Sequence, residues 1–259
     1  MSEVMLQQTQ ASRVIPSYGA FVRRFPTVEA LAVASRADVI RAWAGLGYNR
    51  RAVALSEAAR EMARSHGGRV PRDVESLRRL PGIGPYTAAA VASLAFGKPV
   101  PAVDTNVRRV VARTRLGVDA AEADAFEVRT AAEAWIDRAD PGAWNQAVMD
   151  LGREVCRPTP RCQACPLSGA CAFRRAGRRP SRPSRRQSKF EGSFRQVRGA
   201  VVRVLRERGS APLAGLIEAT GHPAGRVCRA VEALAAEGMV RAGPAALAGR
   251  PSGPVTLET

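Results

Sequence analysis

Leu80-Pro81-Gly82-Ile83-Gly84-Pro85-Tyr86-Thr87 is the stretch from which the fold of this chain is read. Helix-forming sequence lies on both sides, so the spacing predicts a helix, a tight Gly-rich hairpin, and a second helix from about Pro85. Glycines at 82 and 84 permit backbone angles closed to other residues and let a ligand come close. The amides after Gly82 would then point outward at the start of the second helix. Free N–H groups and the positive helix end suit a phosphate at that place. An ordinary packing turn between helices satisfies the same string, so the hairpin needs companions.

One companion follows about twenty residues on, as Val103-Asp104-Thr105-Asn106-Val107-Arg108-Arg109-Val110-Val111. Asp104 and Asn106 stand where a helix would begin, and a lone Asp there reads first as an N-cap. Arg108, Arg109 and Arg113 on that helix are either solvated or in contact with phosphates. A second companion is the set Cys156, Cys162, Cys165 and Cys171, spaced C-x5-C-x2-C-x5-C. Without a secretory signal such a cluster reads as a metal site rather than a disulfide framework. Four thiolates this close hold either one tetrahedral zinc or one 4Fe–4S cluster. Zinc sites more often show two C-x2-C pairs, and the single tight pair here favours the cubane. Cys228, alone in an apolar helix, reads as a buried packing residue.

The charge balance agrees with a polyanionic partner. The 259 residues carry a formal charge of +17, which points to nucleic acid. All the basic residues are Arg except Lys98 and Lys189. No run of eighteen apolar residues occurs and the N-terminus has no signal-peptide pattern, so a soluble cytoplasmic protein is expected. The length allows two or three helical domains.

Up to residue 172 the chain reads as amphipathic helices broken by Gly and Pro, with Thr27 and Ser35 as N-caps and a long helix from near Asn49 to Gly67-Gly68. Residues 174–189 are basic and free of acids, and read as a tether that either stays solvated or touches phosphates. From Ser193 three helices are expected, 224–236 being the third, with a small wing of strands in the tail. This pattern resembles a winged helix-turn-helix, which reads DNA in some proteins and contacts proteins in others.

LPGIGPYTAAAVASLAFG, VDTNVRRVVAR and the four-cysteine loop together resemble the helix-hairpin-helix DNA glycosylases that carry a 4Fe–4S cluster. Within them, SEVMLQQTQ at 2–10 and WAGLGYNRRA at 43–52 look like the MutY family of A/G-specific adenine glycosylases. The resemblance spans residues 2–172. It implies an all-α fold, with a helical barrel domain bearing the hairpin at 1–108 and a cluster domain at 109–173. A basic linker at 174–192 and a small winged-helix-like domain at 193–259 would complete it.

By position, the resemblance makes Glu3 the catalytic acid and Asp104 the carboxylate of the VDxNV motif. Tyr86 and Asn106 become neighbours that position the reacting groups. Gln8 fills the duplex near the lesion, and Tyr48, Gly82, Gly84 and Arg108 join it in DNA binding. Cys156, Cys162, Cys165 and Cys171 become the ligands of one 4Fe–4S cluster. The implied substrate is double-stranded DNA with adenine opposite 8-oxoguanine or guanine, bound by a monomer acting on nucleoid DNA.

Four departures from the family stand out. The family has a further segment before SEVMLQQTQ. Its first cysteine loop is longer by one residue. Its usual Nudix-like C-terminal domain gives way to the winged-helix-like tail. Asn49 replaces a second Tyr after Tyr48.

The implied chemistry is coherent. A base inside a duplex must be extruded before it can be attacked. A protonated Glu3 would give its proton to adenine N7, and the Asp104 carboxylate would stabilise the oxocarbenium character of the sugar, as paired carboxylates do in glycoside hydrolysis. Glycosylases that also nick the strand use an amine to form a Schiff base. The thymine-glycol relatives of endonuclease III have a Lys where Tyr86 stands, and neither Lys98 nor Lys189 is there. Base removal without efficient strand cleavage is therefore expected. The competing readings are an endonuclease III-like enzyme for oxidised pyrimidines and a non-enzymatic, cluster-bearing DNA-binding regulator.

Overall fold

A computed structural model describes residues 1–180 and 189–258. Residues 181–188, the middle of the expected basic tether, lie outside the described residues. The chain divides into two compact units. One contains Met1–Val70, Leu80–Gly82 and the described residues of Gln187–Thr259, and the other contains Pro71–Arg79 and the described residues of Ile83–Arg186.

The first unit opens with α1 (Ser2–Leu6), α2 (Ala11–Arg24), α3 (Val28–Val33), α4 (Arg36–Ala42) and α5 (Arg50–Ser65). Thr27 and Ser35 cap α3 and α4 as their sequence positions predict, accepting from the amides of Ala30 and Asp38. Phe21, Ile40 and Trp43 are fully buried, and Trp43 meets Phe21 edge-on with centroids 5.8 Å apart. The second unit holds α6 (Val74–Arg79), α7 (Pro85–Phe96), α8 (Thr105–Val111), α9 (Ala125–Trp135), α10 (Pro141–Glu154) and α11 (Ala172–Arg175). A π turn, Ala112–Leu116, prolongs α8. Two helices thus flank the hairpin, with Pro85 in the first turn of α7 as expected.

The C-terminal part of the first unit comprises α12 (Phe194–Arg208), β1 (Ser210–Pro212), α13 (Leu213–Thr220), α14 (Ala224–Ala236), β2 (Val240–Ala242), α15 (Pro244–Leu247) and β3 (Pro254–Leu257). The strands form an antiparallel sheet ordered β1-β3-β2, with Ala211 opposite Val255 and Arg241 opposite Thr256. This is the winged helix-turn-helix pattern read from the sequence, α14 coinciding with the expected third helix.

The module does not stand apart from the N-terminal helices. Val197, Val201 and Leu205 of α12 share one core with Ala37, Ile40 and Val53 of α4 and α5. Arg36 donates to the Gly238 carbonyl at 3.2 Å and to Glu57 at 2.8 Å, while Glu237 lies between Arg198 and Arg50. A non-directional apolar core plus these polar ties makes residues 189–258 part of the same folded body. Cys228 is half-buried against that core rather than fully enclosed.

Candidate active site and cluster loop

Asp104 caps α8. Its Oδ1 accepts from the amides of Asn106 at 2.8 Å and Val107 at 2.7 Å, and its Oδ2 accepts from the Asn106 side-chain amide at 3.0 Å. The N-cap reading and the functional one are therefore compatible. Three N–H donors fix the plane of the carboxylate, so it is oriented before any ligand arrives.

Asn106 is itself held. Arg109 donates to Asn106 Oδ1 at 2.8 Å, to the Gly152 carbonyl at 2.8 Å, and to the Cys156 carbonyl at 2.6 Å. A polar chain thus runs from Asp104 through Asn106 and Arg109 to the first residue of the cysteine loop. Helix α10 lies so close to α8 that a Cβ on Gly152 would fall 2.6 Å from that of Asn106. The approach to Asp104 along 97–103 is pinned by buried Asn145. Its amide nitrogen donates to Ser93, Val100 and Pro141, and its oxygen accepts from the Ala102 amide at 2.7 Å. Arg108 does not reach outward. Its guanidinium donates to the carbonyls of Ala120 and Ala123 and closes the loop before α9. Tyr86, in the first turn of α7, packs against Ala89, Ala90 and Ala102 and donates its hydroxyl to the Met149 sulfur at 3.4 Å.

Cys156, Cys162, Cys165 and Cys171 line one cavity of about 230 Å³. Among the described residues no three His, Cys, Asp or Glu side chains meet at metal-binding separation. The donor chemistry still fits a cluster. The walls carry Arg113, Arg161, Arg174 and Arg178 beside apolar Leu151, Val155 and Phe173. Four thiolates with iron and sulfide are anionic overall, and such walls supply both counter-charge and a dry surround. Burial pushes the Cys156 thiol up from its ordinary value, while the Arg113 and Arg109 cations oppose that shift. Arg113 organises this loop. It pairs with buried Asp119 at 3.0 Å, donates to the carbonyls of Arg157 at 2.7 Å and Pro158 at 3.1 Å, and lies over the Phe173 ring.

In the first unit, Gln8 and Tyr48 adopt positive φ of 54° and 47°, the sole non-glycine residues to do so among those described. Such conformations persist only where the surroundings impose them. Arg51 does so here. It donates to the carbonyls of Val4 at 2.8 Å, Met5 at 2.7 Å and Gln7 at 2.5 Å, and to the Thr9 hydroxyl at 2.9 Å. Its other face reaches the Leu46 and Gly47 carbonyls, and its guanidinium lies 5.6 Å from the Tyr48 ring centroid. Glu3, half-buried, belongs to the short helix that this Arg anchors.

Gly82 has φ +73°, and a Cβ there would come within 2.5 Å of the Ala54 side chain. Gly84 differs from the sequence expectation. Its φ of −79° is open to any residue and its surroundings are empty, so what matters there is the absence of bulk at the N-cap of α7.

Residues 1–137 match the HhH-GPD superfamily of base excision DNA repair proteins. An adenine DNA glycosylase of Mycobacterium tuberculosis is 50% identical over 212 residues, covering 80% of this chain and 69% of its own. The chain belongs to the adenine DNA glycosylase family. Another adenine DNA glycosylase, from Mycolicibacterium smegmatis, is 42% identical over 243 residues, 93% of this chain and 82% of its own. Among solved structures, a thermostable thymine-DNA glycosylase superposes with a TM-score of 0.63 at 31% identity, covering 68% of this chain and 82% of that one. The helix-hairpin-helix glycosylase fold read from the sequence is thus established, and the chain is an enzyme of base excision repair acting on N-glycosyl bonds.

Sequence spacing singled out Asp104 and the cysteines, but not Arg51, Asn145 or Gly152. Arg109 stood only among three basic residues of one helix. The signal for Gly152 was present, as a Gly inside an amphipathic helix, and such a residue marks a close approach.

Proposed function

We propose that this protein is a monofunctional adenine glycosylase that excises adenine paired with 8-oxoguanine or guanine in duplex DNA. The observation that carries the reading is Asp104, oriented by three N–H donors at the head of α8 and backed by Asn106 and Arg109. A carboxylate held in one plane is suited to face a sugar carbon on which positive charge develops. Glu3 acts as the general acid toward adenine N7. Gln8 and Tyr48 enter the duplex beside the lesion, Tyr86 and Asn106 position the reacting groups, and Gly82 and Gly84 let the hairpin approach a phosphate. Arg108 acts indirectly, by holding the loop at Ala120 and Ala123.

Cys156, Cys162, Cys165 and Cys171 would hold one 4Fe–4S cluster, whose role is to shape a basic loop against the DNA backbone. The cysteine-lined cavity with its arginine walls suits an anionic metal–thiolate centre, and the single tight C-x2-C pair favours the cubane over zinc. One chain supplies every residue named, in keeping with a monomer working on chromosomal DNA in the cytoplasm. Tyr86, rather than an amine, in the hairpin position supports base release without strand cleavage.

Asp104→Asn tests the assignment, because Asn caps helices as well as Asp and the fold should persist. The variant is expected to bind an A·8-oxoguanine duplex as the wild type does and to release adenine at least about a hundredfold more slowly. Turnover within a few-fold of wild type would remove Asp104 from the reaction.

A further inference from the structure

We propose that the C-terminal module forms part of the DNA-gripping face, with Arg195 as its contact to the phosphodiester backbone beside the Gly45–Tyr48 loop. The inference deepens the reading above, since it rests on Tyr48 lying at the DNA.

Three arginines surround that loop. Arg13 of α2 donates to the Gly45 carbonyl at 3.0 Å. Arg51 of α5 takes the Leu46 and Gly47 carbonyls and the face of the Tyr48 ring. Arg195, from the first turn of α12, reaches the Tyr48 hydroxyl at 3.4 Å on the exposed side. The first two come from the N-terminal helices and the third from the module, 147 residues away in sequence. The shared core of Val197 and Val201 with Ala37, Ile40 and Val53 makes this placement part of the fold rather than of a tethered arm.

Four other arginines of the module make contacts within it. Arg226 donates to the Gly192 carbonyl at 2.7 Å, and Arg229 lies over the Phe194 ring. Arg226 and Arg229 of α14 therefore buttress the start of α12, where Arg195 sits. Arg198 pairs with Glu237, and Arg241 with Glu258. A cation next to a strained, exposed aromatic, in a chain of charge +17, fits a phosphate oxygen flanking the point where that aromatic meets the duplex.

The test uses the full chain with Arg195→Gln and Arg195→Lys. Affinity is measured for an undamaged duplex and for one with a single A·8-oxoguanine pair, from roughly 50 to 200 mM salt. Loss of one phosphate contact lowers the slope of log affinity against log salt by about one, so the wild-type advantage over the Gln variant shrinks about 3.5-fold across that range. The change should be equal on both duplexes, because phosphate contacts carry no base information. The Lys variant should keep the wild-type slope, and all three proteins should unfold at the same temperature. Parallel salt lines for wild type and the Gln variant would overturn the proposal. Equal loss of slope in both variants would also overturn it, by showing that the position acts through the shape of Arg rather than its charge. A wild-type protein that releases no adenine would count against the glycosylase reading alone, leaving the comparison on undamaged DNA as a valid test of Arg195.

Discussion

Arg51 shows how one side chain sets up two others. Its donors reach the segment carrying Gln8 and the loop carrying Tyr48, both held at positive φ. Arg51→Met leaves partly buried carbonyls unsatisfied, each worth about 1–3 kcal/mol. We expect a loss of at least about 2 kcal/mol, read as a fall of roughly 4–8 °C in Tm, with weakened preference for mismatched over paired DNA. An unchanged Tm would show that the six acceptors are solvated without it. Glu3→Gln removes the proposed proton donor. Positioned proton transfer supplies roughly 10²–10⁴-fold, so base release should fall by that factor while DNA binding stays. Near-normal turnover in single-turnover assays would exclude Glu3 as the acid. The sequence singles out Glu3 and Asp104 as candidates because their motifs are long and ordered. It does not single out Arg51, because in a chain so rich in Arg no spacing distinguishes a guanidinium that turns inward onto carbonyls from one that faces solvent or phosphate.

The close crossing of α8 and α10 fixes Asn106, and through it the plane of Asp104. Gly152 admits Asn106 to within a distance that no Cβ tolerates. Gly152→Ala should push α10 from α8 and displace Asn106, at about 1–3 kcal/mol of overpacking. Activity should fall more than affinity for DNA, since the displaced group orients Asp104; equal loss of both would mean general unfolding instead. The hairpin separates its two glycines in a similar way. Gly82→Ala meets Ala54 and a forbidden φ and should destabilise, whereas Gly84→Ala meets nothing and should leave Tm unchanged. Capping residues, helix breaks and α12, α13 and α14 were legible because each rests on local chemistry, as at Thr27 and Ser35, whereas α15 falls where strands of the wing were expected. The π turn at 112–116 was not legible. It places Arg113 on Asp119, a partner set by tertiary packing.

Over the whole molecule, two features go beyond local pattern. The cysteine spacing suggests a metal site, whereas the surrounding arginines and the carbonyls of Arg157 and Pro158 held by Arg113 belong to tertiary structure. Removing one member of a buried ion pair costs about 3–5 kcal/mol. Arg113→Gln should therefore lower both stability and iron content, measured by metal analysis, against about four irons per wild-type chain. Stoichiometric zinc in the wild type would refute the cluster assignment. Likewise the sequence marked residues 193–259 as a winged helix, while its docking on α4 and α5 depended on apolar faces whose partners no periodicity names.

Adenine excision without strand cleavage can be read from a single incubation. Full-length protein is incubated with end-labelled duplexes that differ only in one pair: A·8-oxoguanine, A·T, or thymine glycol opposite A. Strand breaks are scored before and after hot alkali. Free adenine and an alkali-dependent break are expected from the A·8-oxoguanine duplex, with little reaction on the other two. A break without alkali, or faster reaction on thymine glycol, would contradict this reading.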